Sequence, residues 1–212
     1  GTVKRTAVTE FKNIRSNGLK ALNLHENDEL IDVEVISEDQ PMIIGTHNGY
    51  ALSFKSSVVR SMGRSAAGVR GIRLRDEDYV IGAAPLNPDS KVLVISENGF
   101  GKQTPASEYP IKGRGGLGVK TVNVTAKNGP LVGLTTVNGD EDIMLVTDQG
   151  VIIRFDIESV SQTGRSAVGV HLIKMDNGAR VATIAKVDKE VDEETEEATN
   201  NSSQEESQPT EN

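Results

Sequence analysis

The chain contains no cysteine and no tryptophan, its aromatic content is 3%, and no apolar run in it reaches the length of a membrane span. Without cysteine, disulfides, thiolate metal sites and cysteine nucleophiles are excluded. Without a long apolar run there is neither a spanning helix nor a signal-peptide core, so a soluble, cytoplasmic protein with no membrane partner is expected. With so few aromatics, the core of this 212-residue chain must rest on Val, Ile and Leu, which favour the pleated surface of a sheet. Helical periodicity is missing too: nowhere do apolar residues recur at i, i+3, i+4 and i+7 over a useful length.

Signals for catalysis are equally sparse. His25, His47 and His171 lie far apart with no common spacing, which gives no ligand set for a metal. The acidic runs Asp76-Glu77-Asp78 and Asp140-Glu141-Asp142 sit beside turns and read as solvated loops, not as acid/base carboxylates. No cofactor is expected.

Charge is unevenly distributed. From Asp188 onward the sequence DKEVDEETEEATNNSSQEESQPTEN holds ten acidic residues against one lysine; of the −8 overall, this tail accounts for −9 and residues 1–187 for +1. A segment with so little apolar surface cannot offset its ordering entropy, so residues 188–212 are expected to form a disordered acidic tail. It serves either as a solubilising tail or as a competitor with an acidic partner for a basic face of the folded part.

The folded part is repetitive. Gly1, Gly49, Gly99 and Gly150 follow one another at intervals of 48, 50 and 51 residues, and Gly18, Gly68, Gly118 and Gly169 at 50, 50 and 51. Two independent markers share one period of about 50 residues, the signature of a repeat architecture. Within each period, MIIGT-HN-GYALSF, VLVIS-EN-GFGKQT and IMLVT-DQ-GVIIRF place a turn between runs of branched aliphatics. Asn-Gly is a strong hairpin signal because both of its residues tolerate positive φ. A glycine-bearing loop follows, then a short strand such as VRGIRL or VKTVNV, then another such as LIDVEVI or LVGLTTV. Four strands per module, repeated radially, predict an all-β, propeller-like fold of four-stranded blades.

The stretch Gly113-Arg114-Gly115-Gly116-Leu117-Gly118 fits G-x-G-x-x-G, the dinucleotide fingerprint. That pattern has physical content only where a helix follows, and Val119-Lys120-Thr121-Val122-Asn123-Val124 reads as a strand. Its counterparts Gly63-Arg64-Ser65-Ala66-Ala67-Gly68 and Gly164-Arg165-Ser166-Ala167-Val168-Gly169 lack the middle glycine, so no nucleotide site repeats. What repeats is a tight turn holding out one arginine per module, at Arg64, Arg114 and Arg165, with Arg15 at the related site. Lys4, Arg5, Lys55, Arg60, Arg70, Arg73, Arg75, Lys102, Lys112, Lys120 and Arg154 cluster nearby in sequence. Guanidinium forks at regular intervals on a curved rim match the phosphates of a duplex, holding and bending DNA without reading bases. Two module types alternate: TAVTEF and TPASEY follow the first and third hairpins, FKSSV and FDIESV the second and fourth. Glu10-Phe11 and Glu108-Tyr109 are read as a packing corner.

In the repeated GRSAAGVRGIRL, GFGKQTPASEYPIKGRGGLGVK, KNGPLVGLTTVNGDEDIMLVTDQGVIIR and GRSAVGV, the chain from Gly1 to about Val187 closely resembles the C-terminal domains of DNA gyrase A proteins. The resemblance implies a β-pinwheel whose blades exchange strands, and a basic outer rim that wraps double-stranded DNA to support negative supercoiling. The implied partners are the remainder of gyrase A and, beside it, gyrase B; the catalytic residues lie outside this chain, which is inert alone. The family disc usually has six blades, whereas about three and a half repeats are present. No copy of the family box Q-R-R-G-G-K-G occurs; Lys112 to Gly118 comes nearest, keeping Arg114 and the glycines but placing Gly113 and Leu117 where the box has cations. Alternatives are the corresponding domain of topoisomerase IV and a propeller that binds acidic proteins.

Overall fold

The computed structural model describes residues 1–175 and 178–189. Its regular structure is strand throughout, apart from single 3-10 turns after the hairpins. In chain order the strands are β1 (Thr2–Val3), β2 (Pro41–Thr46), β3 (Tyr50–Lys55), β4 (Val69–Arg70), β5 (Val80–Pro85), β6 (Lys91–Ser96) and β7 (Phe100–Pro105). There follow β8 (Val119–Lys120), β9 (Leu131–Val137), β10 (Glu141–Thr147), β11 (Ile152–Asp156), β12 (Val170–His171) and β13 (Val181–Asp188).

Strand order shows how the repeats interlock. One four-stranded sheet runs β5-β2-β3-β8 and the next β9-β6-β7-β12, while a three-stranded sheet runs β13-β10-β11 and a two-stranded one β1-β4. Every pairing within them is antiparallel. The outermost strand of each four-stranded sheet is thus contributed by the following module: Tyr50 pairs with Lys120, and Phe100 with His171. A backbone latch repeats the exchange, since the Gly1 carbonyl accepts the N–H of Gly71 and Ile72, that of Gly49 those of Thr121 and Val122, and that of Gly99 those of Leu172 and Ile173.

The core lies between blades. Val92 and Val94 on one face of β6 pack with Ile43, Ala84 and Leu134, whereas Leu93 and Ile95 on the other pack with Ile143, Leu145 and Val181. A strand covered on both faces reads as the unbroken apolar run VLVI, where a half-exposed strand would alternate. β10 does alternate, with Ile143 and Leu145 buried and Met144 and Val146 only partly so. It is covered more fully on one face.

Four sequence expectations change. The β2–β3 and β6–β7 turns are three-residue loops in which only the glycine is left-handed, with φ of 82° at Gly49 and 77° at Gly99, and Gly150 in the β10–β11 turn holds 81°. Asn48 and Asn98 therefore need no positive φ, and the i to i+3 bonds from Gly49 to Thr46 and from Gly99 to Ser96 mark a turn closed by a glycine bulge. The segment LIDVEVI, expected as a strand, is not one. Its counterparts β5, β9 and β13 each pair with the first strand of a hairpin, and among the described residues no such strand lies beside residues 30–36. Asp78 and Glu141 are buried caps: Asp78 accepts the N–H of Asn48 and Tyr79, and Glu141 those of Asn138 and Gly139. Burial alone would raise the Glu141 carboxyl, but those amides and Lys186 hold it below its ordinary value. The expected tail boundary falls slightly early, because β13 runs through Asp188 and Lys189 pairs with Asp156 at 3.0 Å. From residue 190 the tail lies outside the described residues.

Candidate nucleic-acid interface

The repeated turns are built where one module's backbone crosses the outer strand of the module before it. Gly68, Gly118 and Gly169 hold φ of 109°, 73° and 93°, values that favour glycine. A Cβ at each would stand 2.6 Å from a carbonyl oxygen of that strand, namely Val3, Ala51 and Gly101. The glycine is demanded twice, by conformation and by close approach.

This placement carries the arginines from one module to the next. Arg114 donates from Nη1 to the Arg70 carbonyl at 3.0 Å, and Arg165 from Nη1 to the Lys120 carbonyl at 3.3 Å. Arg70 and Lys120 occupy equivalent positions, each ending the two-residue outer strand of its module. Two cationic pairs related by the repeat, Arg70 with Arg114 and Lys120 with Arg165, therefore line the turns. Lys112, Arg60 and Arg73 are exposed beside them, and the Arg73 N–H is bound by the Gly116 carbonyl at 2.8 Å. Arg75 donates to the Leu117 carbonyl at 2.8 Å while its guanidinium carbon sits 3.4 Å from the Tyr50 ring centroid. At the first turns, Arg15, Lys12 and Arg64 share an open groove with Glu10. Spacing does not single out Lys12, although it stands in the same loop as Arg15.

Other expected contacts are placed elsewhere. Lys102 has no exposed surface, so it cannot reach a phosphate; it donates to the carbonyls of Gly164 and Arg165. Burial pushes its ammonium down to about 8, Glu108 opposing and Arg165 reinforcing the effect. Lys4, its counterpart two modules earlier, donates to the carbonyls of Ala21 and Arg64, and desolvation followed by the Arg64 charge lowers its pKa. Arg5 is half-buried, with its carbonyl accepting the Met62 N–H. Arg154 lies on β11, ion-paired with Asp142 at 2.8 Å and donating to the Asp188 carbonyl at 2.9 Å. Lys55 is paired with Asp39 at 2.8 Å, both side chains about half exposed, an arrangement that weakly reduces its availability. The histidines have structural settings: His47 stacks on Tyr79 and His171 leans on Phe100. Tyr109 of the packing corner is buried, its hydroxyl bonded to Thr121 at 2.5 Å.

Interblade strand exchange, the glycine latches and the arginine turns invite comparison with known proteins. The family model for the DNA gyrase C-terminal domain, a β-propeller, matches residues 1–37, 40–87, 90–138 and 141–188. The chain belongs to that family. It is 65% identical over 190 residues to the DNA gyrase A protein of Streptococcus pyogenes serotype M3, covering 90% of this chain and 23% of that protein. To the DNA gyrase A protein of Halalkalibacterium halodurans it is 60% identical over 190 residues, with the same two coverages of 90% and 23%. It thus spans about a quarter of the length of the curated relatives it matches.

Among solved structures, a DNA gyrase A C-terminal domain superposes with a TM-score of 0.79 at 27% identity, covering 88% of this chain and 62% of that one. The C-terminal domain of a DNA topoisomerase IV superposes with a TM-score of 0.84 at 26% identity, covering 96% of this chain and 64% of that one. Both gyrase-family and topoisomerase IV domains therefore share the strand-exchanged fold, and the high identity to gyrase A proteins separates the two. Within the turn at Lys112 to Gly118, close backbone approach demands glycine at Gly118, and left-handed φ favours it at Gly115 and Gly118.

Proposed function

We propose that this gyrase-family domain binds double-stranded DNA along its line of turn cations, contacting phosphates without reading bases, and bends the duplex around its edge. In this reading it contributes DNA wrapping to a gyrase, in company with the rest of gyrase A and with gyrase B, and so supports negative supercoiling without catalysis of its own. The observation that carries the proposal is the repeated pairing of Arg114 with Arg70 and of Arg165 with Lys120 at equivalent turns. Arg165 is anchored to backbone through one guanidinium nitrogen and Arg114 through two, Nε and Nη1, which limits side-chain freedom while leaving other donors of the fork available. Lys112, Arg60, Arg64, Arg73 and Arg15 extend the set; Lys102 is excluded by burial, and Lys4, Arg5, Lys55 and Arg154 contribute little to it.

Fluorescence anisotropy of a labelled nonspecific duplex, titrated across a range of salt, tests this. Displacement of counterions from Z phosphates gives a log–log slope of about −0.9Z, unchanged when the sequence is changed. Absence of binding at low salt overturns the proposal.

A further inference from the structure

Modules one and three carry a lysine three residues after the turn glycine, Lys4 and Lys102, where modules two and four carry Leu52 and Ile153. The slot is apolar by the chain's own internal comparison. An ammonium without exposed surface is costly unless acceptors meet its donors, and both acceptors of Lys102 belong to one turn. Its Nζ donates to the Gly164 carbonyl at 2.6 Å and to the Arg165 carbonyl at 2.5 Å. Glu108, six residues further along the same module, accepts the Arg165 N–H on Oε2 at 3.0 Å. A cation and an anion of one module thus grip the backbone of the next module's arginine.

The lysine half of the arrangement recurs with the alternation. Lys4 donates to the Arg64 carbonyl, and Glu10, the counterpart of Glu108, borders the same groove as Arg64. Module two lacks both groups, since Leu52 and Val58 stand at those positions. The turn that docks there is the double-glycine one, and its arginine adds a bond from Nε to the Val58 carbonyl at 3.2 Å to the Nη1 bond that it shares in kind with Arg165.

We propose that Lys102 with Glu108, and Lys4 with Glu10, are positioning residues: a charged clamp on the turn backbone that fixes the direction in which Arg165 and Arg64 are held out. Arginine turns then alternate between those clamped by charges of the preceding module and one held by its own side-chain bonds alone, and a duplex meets the two kinds in turn. The consequence for DNA rests on the function proposed above; the clamp itself does not.

The test uses the full chain and two readouts. The first needs no DNA: hydrogen exchange at the Ala167 N–H, which bonds the Gly164 carbonyl at 3.2 Å. Lys102→Met, which keeps the apolar stem and removes the ammonium, is expected to lower protection there by about tenfold, leaving the Gly115 N–H of the unclamped turn unchanged. The second is duplex affinity in two double-mutant cycles. Lys102→Met is expected to cost nothing further in an Arg165→Ala background, but its full single-variant loss in an Arg114→Ala background. Glu108→Ala, at an exposed position, carries the same test should Lys102→Met not fold. Unchanged protection at Ala167, an equal loss at Gly115, or additivity with Arg165→Ala overturns the clamp. Failure of the wild-type chain to bind duplex overturns the DNA reading alone, and the exchange result still decides the clamp.

Discussion

Gly118 approaches Ala51 so closely that a Cβ on it would stand 2.6 Å from the Ala51 carbonyl oxygen. Because Gly118 also holds φ at 73°, substitution there meets strain and overlap together. Gly118→Ala is expected to destabilise by about 2–4 kcal/mol, and Gly169→Ala, in the same relation to Gly101, by a similar amount. Gly18 supplies an internal control: its φ is 77°, but a Cβ would meet nothing within 4 Å among the described residues. Gly18→Ala should cost only about 1 kcal/mol. Denaturant midpoints of the three variants check the ranking, and equal losses would remove close approach as the cause.

Arg64→Ala and Arg165→Ala are each expected to weaken duplex binding by the same factor whatever the base composition, and to reduce the salt slope by about one. Anisotropy with duplexes of contrasting sequence measures both. A loss confined to some sequences contradicts backbone contact.

Lys102 predicts a pH dependence whose sign follows from burial. Its ammonium loses the proton at about 8 in the folded chain against 10.5 for an ordinary lysine. Below about 8 both states are protonated and the buried charge counts fully against the fold; between about 8 and 10.5 the unfolded chain binds more protons, so stability rises with pH across that window. Glu108 and Arg165, the charged groups that act on it, pull in opposite directions. Lys102→Met abolishes this dependence. Urea unfolding of both chains should show their difference shifting in the wild type's favour only across that window, and a flat difference would mean an unperturbed lysine.

Removal of residues 190–212 takes away nine acidic side chains while leaving β13 and the Lys189 to Asp156 ion pair intact. If the segment competes with DNA for the turn cations, the shortened chain binds duplex more tightly at low salt, and the difference fades as salt screens it. Equal affinity at low salt would leave the segment a solubilising role.

The period and the hairpins are legible in the sequence because each rests on local chemistry: a glycine after Asn or Gln, flanked by branched aliphatics. Strand exchange is implied by the family resemblance but not by local chemistry, since β8 is two residues long and every module offers a similar edge; nothing local tells Lys120 to pair with Tyr50 and not with its own hairpin. LIDVEVI shows the converse, a strand-like pattern that pairs with no hairpin strand among the described residues. Lys102 groups with the surface cations on sequence because a lysine is ordinarily exposed. The signal against this lies in the alignment of modules, where Leu52 and Ile153 at the same position announce a buried slot. The arginine turns are found by spacing, while their carbonyl anchors at Arg70 and Lys120 depend on neighbouring blades.

Strand exchange also sets a timetable for synthesis. The outer edge of β3 is made about 70 residues before its partner, as the pairing of Tyr50 with Lys120 requires. At about 5–20 residues per second, that edge waits roughly 4–14 s on the ribosome with its backbone groups unpaired. The same interval recurs for β7, whose Phe100 waits for His171. Each nascent blade is therefore a sticky edge until the next module arrives, and a pause in translation between modules prolongs the exposure that favours aggregation.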